Sequence, residues 1–110
     1  TYVESFEDQK YLYIVIEYCE GQEMFLYLEE KEQFSESDAA NTMYKVLEGL
    51  CHVHTIGVVH RDLKLENILV DQKGYIKIID YGLAKMLKDT EEATSFCGTP
   101  EYLAPEMVTQ

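Results

Sequence analysis

Residues 60–67, HRDLKLEN, set an acid, a base and an amide into a stretch that otherwise reads as a loop. Apolar GVV precedes it and apolar ILV follows, so it forms a polar island between two predicted strands. Any fold for this chain must explain why Asp62, Lys64 and Asn67 are held together there.

The flanking pattern supplies a frame. NILVDQKGYIKIID predicts a hairpin whose four-residue turn ends in Gly74. Asp80 closes the second of its strands, so strand pairing would carry it back to the polar island. Upstream, FSESDAANTMYKVLEGLCHVHTIG is the strongest predicted helix. Ser35 with Asp38 three residues later is a capping-box signature, and Gly57 is a stop signal. Ala39, Met43, Val46, Leu47, Leu50 and His54 follow at helical spacing, apolar enough for a helix inside a larger lobe. KYLYIVIEY, residues 10–18, predicts a buried strand, with an earlier strand ending at ESF and EDQK as the turn between them. Gly21 breaks that pattern, and QEMFLYLEEK predicts a short helix with Met24, Phe25 and Leu28 on one side. From Gly82 to Thr99 little periodicity remains, which predicts a long functional loop.

The 110 residues make one domain at most, or a piece of one. The chain starts in mid-pattern at TYVESFED and ends at MVTQ with no closing element, which reads as a piece cut from a larger domain. No apolar run approaches the roughly 20 residues that span a bilayer, and no secretion signal stands at the N-terminus. Cys19, Cys51 and Cys97 are odd in number and widely spaced, fitting neither a disulfide framework nor a zinc site. A cytoplasmic, reducing setting is the expectation. The net charge of −12 argues against a nucleic-acid partner, because phosphate binding needs a basic surface. Residues 1–40 carry eleven acids against Lys10 and Lys31, so 11 − 2 = 9 of the twelve excess negatives lie there. Most of those charges read as a solvated face, and a surface for basic peptides is the sharper alternative.

Phosphoryl transfer from ATP asks for a carboxylate to take the proton of an attacking hydroxyl and a cation against the moving phosphate. It also asks for oxygen ligands to Mg²⁺. Asp62, Lys64 and Asn67 are those three types, and hard Mg²⁺ suits the oxygens of Asn67 and Asp80. Taken alone, HRD could be a loop ion pair, DYG an ordinary turn and His60 a packed core histidine.

Together the motifs resemble the eukaryotic protein kinase family. His60-Arg61-Asp62 with Asn67 matches its catalytic loop, and Asp80-Tyr81-Gly82 its metal-binding motif. GTPEYLAPE, residues 98–106, contains the APE motif that closes its activation segment. The resemblance runs end to end, since YLYIVIEYCEGQEMF looks like a fifth strand, a hinge and the start of the next helix. It implies an α+β kinase fold, with residues 1–18 as the last strands of the smaller lobe and the start of the hinge. Residues 19–110 would then be hinge, helices, catalytic loop, metal motif and activation segment. The antibiotic kinases share a related His-x-Asp loop, but Lys64 and the APE segment favour protein kinases.

Residue by residue, the resemblance makes Asp62 the catalytic base and Lys64 the cation on the γ-phosphate. Asn67 and Asp80 become the metal ligands. Glu17 and Cys19 sit where hinge backbone binds adenine, Ile16 is at the gatekeeper position, and Leu69 would floor the ring. Glu23 and Glu66 lie beside the nucleotide and match acids that read arginines upstream of the target residue. Phe96, Gly98, Thr99, Pro100 and Leu103 lie where the substrate peptide runs. Lys64-Leu65 resembles serine/threonine rather than tyrosine kinases, and TSFCGTPEYLAPE the group of cyclic-nucleotide-dependent kinases and protein kinase C. There Ser95 is the activation phosphosite with Arg61 as its partner, served by an upstream kinase or by autophosphorylation. Implied partners are ATP, Mg²⁺ and basic Ser/Thr protein substrates.

Two departures stand out. Leu65 replaces the Pro usual in that group, resembling calcium/calmodulin-type kinases. Tyr81 replaces Phe at a buried packing position. The glycine-rich loop, the strand lysine and its helix glutamate are not in these residues, so the segment alone is expected to be inactive. A non-catalytic, pseudokinase-like docking module is the competing class.

Overall fold

The computed structural model describes residues 2–88 and 95–109. Its strands are β1 (Tyr2–Glu7), β2 (Leu12–Ile16), β3 (Gly21–Glu23), β4 (Val58–Val59), β5 (Ile68–Asp71), β6 (Ile76–Ile78) and β7 (Lys85–Met86). The helices are α1 (Met24–Lys31), α2 (Glu36–Thr55) and the short α3 (Pro105–Val108). Short 3₁₀ turns cover Leu65–Asn67 and Pro100–Tyr102.

The core is small and central. Met24 of α1, Val46 of α2, and Ile68 and Val70 of β5 are buried together, and Leu63, Leu65, Ile76 and Ile78 pack against them. The two leucines explain how the polar island is held. Alternate residues of the loop turn inward as hydrophobic anchors, leaving Asp62, Lys64 and Glu66 between them, while the four core residues exclude water beneath.

Helix α2 begins as the sequence predicts. Ser35 Oγ accepts the Asp38 N–H at 3.1 Å and donates to Asp38 Oδ2 at 2.7 Å, so the return leg meets the hydroxyl. Its end is set by Gly57 at φ 77, whose N–H donates to His54 O. The buried stripe is narrower than the periodicity suggested: Val46 is buried, whereas Met43 and Leu47 are exposed. In α1 the inward residues are Met24, Tyr27 and Leu28, and Phe25 is exposed. The edge-on Tyr27–Phe34 pair turns the inner face toward position 27.

The predicted hairpin is β5–β6, antiparallel, with Ile68 opposite Ile78 and Val70 opposite Ile76. Its turn closes with Gly74 N–H on Asp71 O, and Asp71 Oδ1 accepts the N–H groups of Lys73 and Tyr75. Strand β3 adds to the other edge of β5, a strand at the place where the sequence showed only a pattern break at Gly21. A Cβ on Gly21 would stand 2.7 Å from Val70 O, so glycine is what lets this edge approach.

Two further expectations change. The predicted strand 10–18 is the shorter β2, paired with β1, and every residue of that hairpin except Val15 is exposed. The stretch after Gly82 is not all loop, because Lys85–Met86 pair with Val58–Val59 as β7–β4. Leu87 N–H donates to Gly57 O at 2.7 Å and extends that tie.

Candidate active site

The polar island folds around a buried histidine. His60 is 2% exposed; its Nδ1 accepts the Asp62 N–H at 3.3 Å, which leaves Nε2 to donate to Ile79 O at 2.8 Å. One ring thus pins the backbone of Asp62 and the residue before Asp80 to the same post. Asn67 does the second half of that work. Its backbone carbonyl accepts Ile79 N–H at 2.9 Å, and its Nδ2 donates to Asp62 O at 2.9 Å and Asp62 Oδ2 at 3.3 Å.

The carboxylate of Asp62 is held at both oxygens. Thr99 Oγ1 donates to Oδ1 at 2.6 Å, while Lys64 Nζ stands 3.4 Å from Oδ2. Lys64 also donates to Thr99 Oγ1 at 3.0 Å, so acid, hydroxyl and ammonium form a closed triangle. The hydroxyl bond from Thr99 is the largest influence holding the Asp62 carboxyl below its ordinary range. Partial burial pushes the other way, and Lys64 adds to the lowering.

Thr99 reaches this position because Gly98 lets the chain pass close. Gly98 has φ 115, and a Cβ there would lie 2.9 Å from Arg61 O and 3.1 Å from Leu103 Cδ2. Arg61 itself sits at φ 67 and donates from Nε to Leu83 O at 2.6 Å. That bond does not consume the two terminal guanidinium nitrogens. Arg61, Asp62, Ser95, Cys97, Thr99 and Leu103 share the wall of one cavity of about 290 Å³, so Ser95 and Arg61 are brought to one place. Residues 89–94, with Thr94 as the neighbouring hydroxyl, lie outside the described residues.

Asp80 lies two residues beyond β6 rather than closing it, at φ 59, and its Oδ1 accepts the Gly82 N–H at 3.2 Å. This left-handed geometry is one that Asp tolerates better than most residues. Tyr81 stacks edge-on against His60 with ring centroids 4.7 Å apart and is 40% exposed. The expectation of a buried phenol is therefore corrected: the ring packs, and the side chain stays partly in solvent. Desolvation of that packed part raises the Tyr81 phenol above its usual range.

The remaining candidates surround this centre. Ile16, at the end of β2, is 65% exposed, and Glu17 is ion-paired with Lys77. Cys19 is half-buried on a cavity shared with Asp71 and Lys77. Leu69 is half-buried in the central strand, with Glu23 opposite it on one side and Lys77 on the other. Glu66 Oε2 is buried with no hydrogen-bond partner among the described residues. Phe96 is 72% exposed, and Pro100 opens the 3₁₀ turn that leads to half-buried Leu103. Two side chains that the sequence did not single out in these roles emerge: Thr99 as the partner of Asp62, and Lys77 as the partner of Glu17. Neither pairing has a local sequence signal, since the partners are 37 and 60 residues apart.

The sequence model of the protein kinase domain matches residues 1–110, the whole chain. This chain belongs to the protein kinase domain family. Similar proteins include cGMP-dependent protein kinase isozyme 1 of Drosophila melanogaster, 39% identical over 104 residues, covering 94% of this chain and 14% of that protein. Human cGMP-dependent protein kinase 2 is 38% identical over the same span, with 94% and 14% covered. The zebrafish (Danio rerio) serine/threonine-protein kinase PLK4 is 44% identical over 107 residues, covering 96% of this chain and 11% of PLK4. The kinase segment thus spans about a seventh or less of the length of these relatives. Its expected likeness to cyclic-nucleotide-dependent kinases is met by the first two.

Proposed function

We propose that the parent of this kinase segment transfers the γ-phosphate of ATP to serine and threonine hydroxyls of basic protein segments. The observation that carries this reading is the Asp62 carboxylate, held by Thr99, Asn67 and Lys64 beside a cation and an amide. Asp62 orients the attacking hydroxyl and takes its proton, and Lys64 stands against the charge of the transferring phosphate. Mg²⁺, when bound, neutralises charge on the triphosphate. Asn67 and Asp80 fit it: Asn67 Nδ2 is engaged by Asp62, which leaves Oδ1 as the acceptor, and Asp80 offers an exposed carboxylate.

Ile16, Glu17 and Cys19 line the adenine side over Leu69, with Glu23 and Glu66 toward the ribose and toward substrate arginines. Phe96, Gly98, Pro100 and Leu103 border the peptide path. Residues 1–18 are the last strands of the smaller lobe and the start of the hinge, and 19–110 the rest of the hinge and the larger lobe, in a cytoplasmic enzyme. The test is the full-length parent incubated with Mg²⁺, radiolabelled ATP and an arginine-containing serine peptide. Label on serine or threonine is expected. Label confined to tyrosine, or none, overturns the reading.

Thr99 makes a prediction about pH. Without its hydroxyl the Asp62 carboxyl rises toward the ordinary range, so the base protonates at higher pH. In Thr99→Val the acidic limb of kcat/KM moves to higher pH, and Thr99→Ser restores it. Unmoved limbs in pH-rate profiles would remove Thr99 from this role.

A phosphate on Ser95 would bring about −1.5 to −2 charges to the cavity that Arg61 lines. Ser95→Ala and Arg61→Ala are each expected to lower activity about 10- to 100-fold, the worth of one charged hydrogen bond. The double variant should be little worse than either single one, because both remove one interaction. Additive losses in such a cycle would separate the two residues, and mass spectrometry of the active kinase distinguishes Ser95 from Thr94.

A further inference from the structure

The β1–β2 hairpin is hydrogen-bonded only within itself among the described strands, and nearly all of it is exposed. It joins the rest of the molecule through residues 17–20, part of the stretch assigned above to the adenine side. From that stretch Glu17 reaches over to β6, where Lys77 Nζ donates to its Oε1 at 2.5 Å. Lys77 stands opposite Leu69 in the β5–β6 ladder, and Leu69 stands opposite Glu23 in the β3–β5 ladder. The ion pair therefore ties the connecting segment to the strand beside the residue assigned as adenine floor. The Glu17 hydrogen bond is also the largest influence raising the Lys77 ammonium above its usual range.

We propose that Lys77 is a positioning residue for the nucleotide: through the Glu17 carboxylate it holds residues 17–19 in place over Leu69. The inference rests on the ATP-binding reading above and adds to it a residue outside the nucleotide site. With the Glu17 side chain turned to Lys77, the backbone groups of the segment are the proposed contacts for a flat, uncharged base. A pair about half exposed on both sides, 47% and 45%, is screened by water and salt. Its effect is accordingly modest, and it falls on binding rather than on chemistry, because neither Lys77 nor the Glu17 carboxylate touches the Asp62 network.

The test uses the full-length kinase with adenosine, an uncharged probe whose own binding carries no phosphate electrostatics. Lys77→Ala is expected to weaken adenosine binding by calorimetry, and to raise KM for ATP, about two- to fivefold. kcat should change less than KM. The ratio of variant to wild-type adenosine affinity should approach one near 1 M salt, where the Debye length is about 3 Å. Lys77→Arg and the exchanged pair Glu17→Lys with Lys77→Glu should both restore affinity. Unchanged adenosine affinity in Lys77→Ala overturns the inference, as does an exchanged pair that stays as weak as the single variant. A loss in kcat at constant KM overturns it too. A parent that binds adenosine with this pattern but phosphorylates nothing would leave the inference standing and remove the proposed activity, so the two fail separately.

Discussion

Asp62→Asn in the full-length parent is expected to lower kcat by roughly 10²–10⁴-fold, the typical worth of a positioned general base, with ATP affinity nearly unchanged. The hydrogen bonds explain why so small a change matters. Asp62 accepts from Thr99 at one oxygen and from Asn67 at the other, with Lys64 close by. An amide has one acceptor oxygen and one NH₂ group, so one of its ends would present a donor to another donor. If the NH₂ group faced Asn67 or Lys64, donor would meet donor; if it faced Thr99, the hydroxyl proton would lose its acceptor. The charge that draws the proton from the attacking hydroxyl would be absent as well. Because Thr99 keeps the carboxylate below its ordinary range, the proposed base would be a weak one that works by orientation, taking the proton as the new bond to phosphorus forms. Steady-state kinetics with a melting curve on the same sample is the measurement. Turnover within a few-fold of wild type would end the assignment.

Asp80 carries the other large effect. Asp80→Ala is expected to remove Mg²⁺-dependent ATP turnover in the parent, because the carboxylate is the anionic member of the proposed ligand pair. Alanine also faces a backbone problem at φ 59, where a residue without a short polar side chain is strained by about 1–2 kcal/mol. Asp80→Asn separates the two causes. Asparagine tolerates that geometry and keeps an oxygen for the Gly82 N–H, while losing the negative charge. Both variants should lose turnover across a full Mg²⁺ titration, and Asp80→Asn should keep the melting temperature of the wild type. Full activity of Asp80→Asn at ordinary Mg²⁺ would take Asp80 out of the ligand pair.

The β5–β6 hairpin and helix α2 were legible in the sequence because their signals are local. A turn ending in Gly74, a cap at Ser35 and a stop at Gly57 each act within a few residues of where they stand. So was the candidate chemistry of residues 60–67, since Asp62, Lys64 and Asn67 are close along the chain and the loop needs only short-range geometry to gather them. Strands β3 and β7 were not legible. Three residues at 21–23 and two at 85–86 are too short to show a period, and each is a strand only because a distant partner offers a ladder. Burial followed the same division. The spacing of α2 marked an apolar face, but which part of it is covered depends on where α1 and the hairpin lie, and they reach Val46 while leaving Met43 and Leu47 exposed. Local sequence named the acid of the candidate site. Tertiary structure decided what holds it: Thr99 comes from 37 residues away, through a glycine that can pass the Arg61 carbonyl at a distance no side chain would allow.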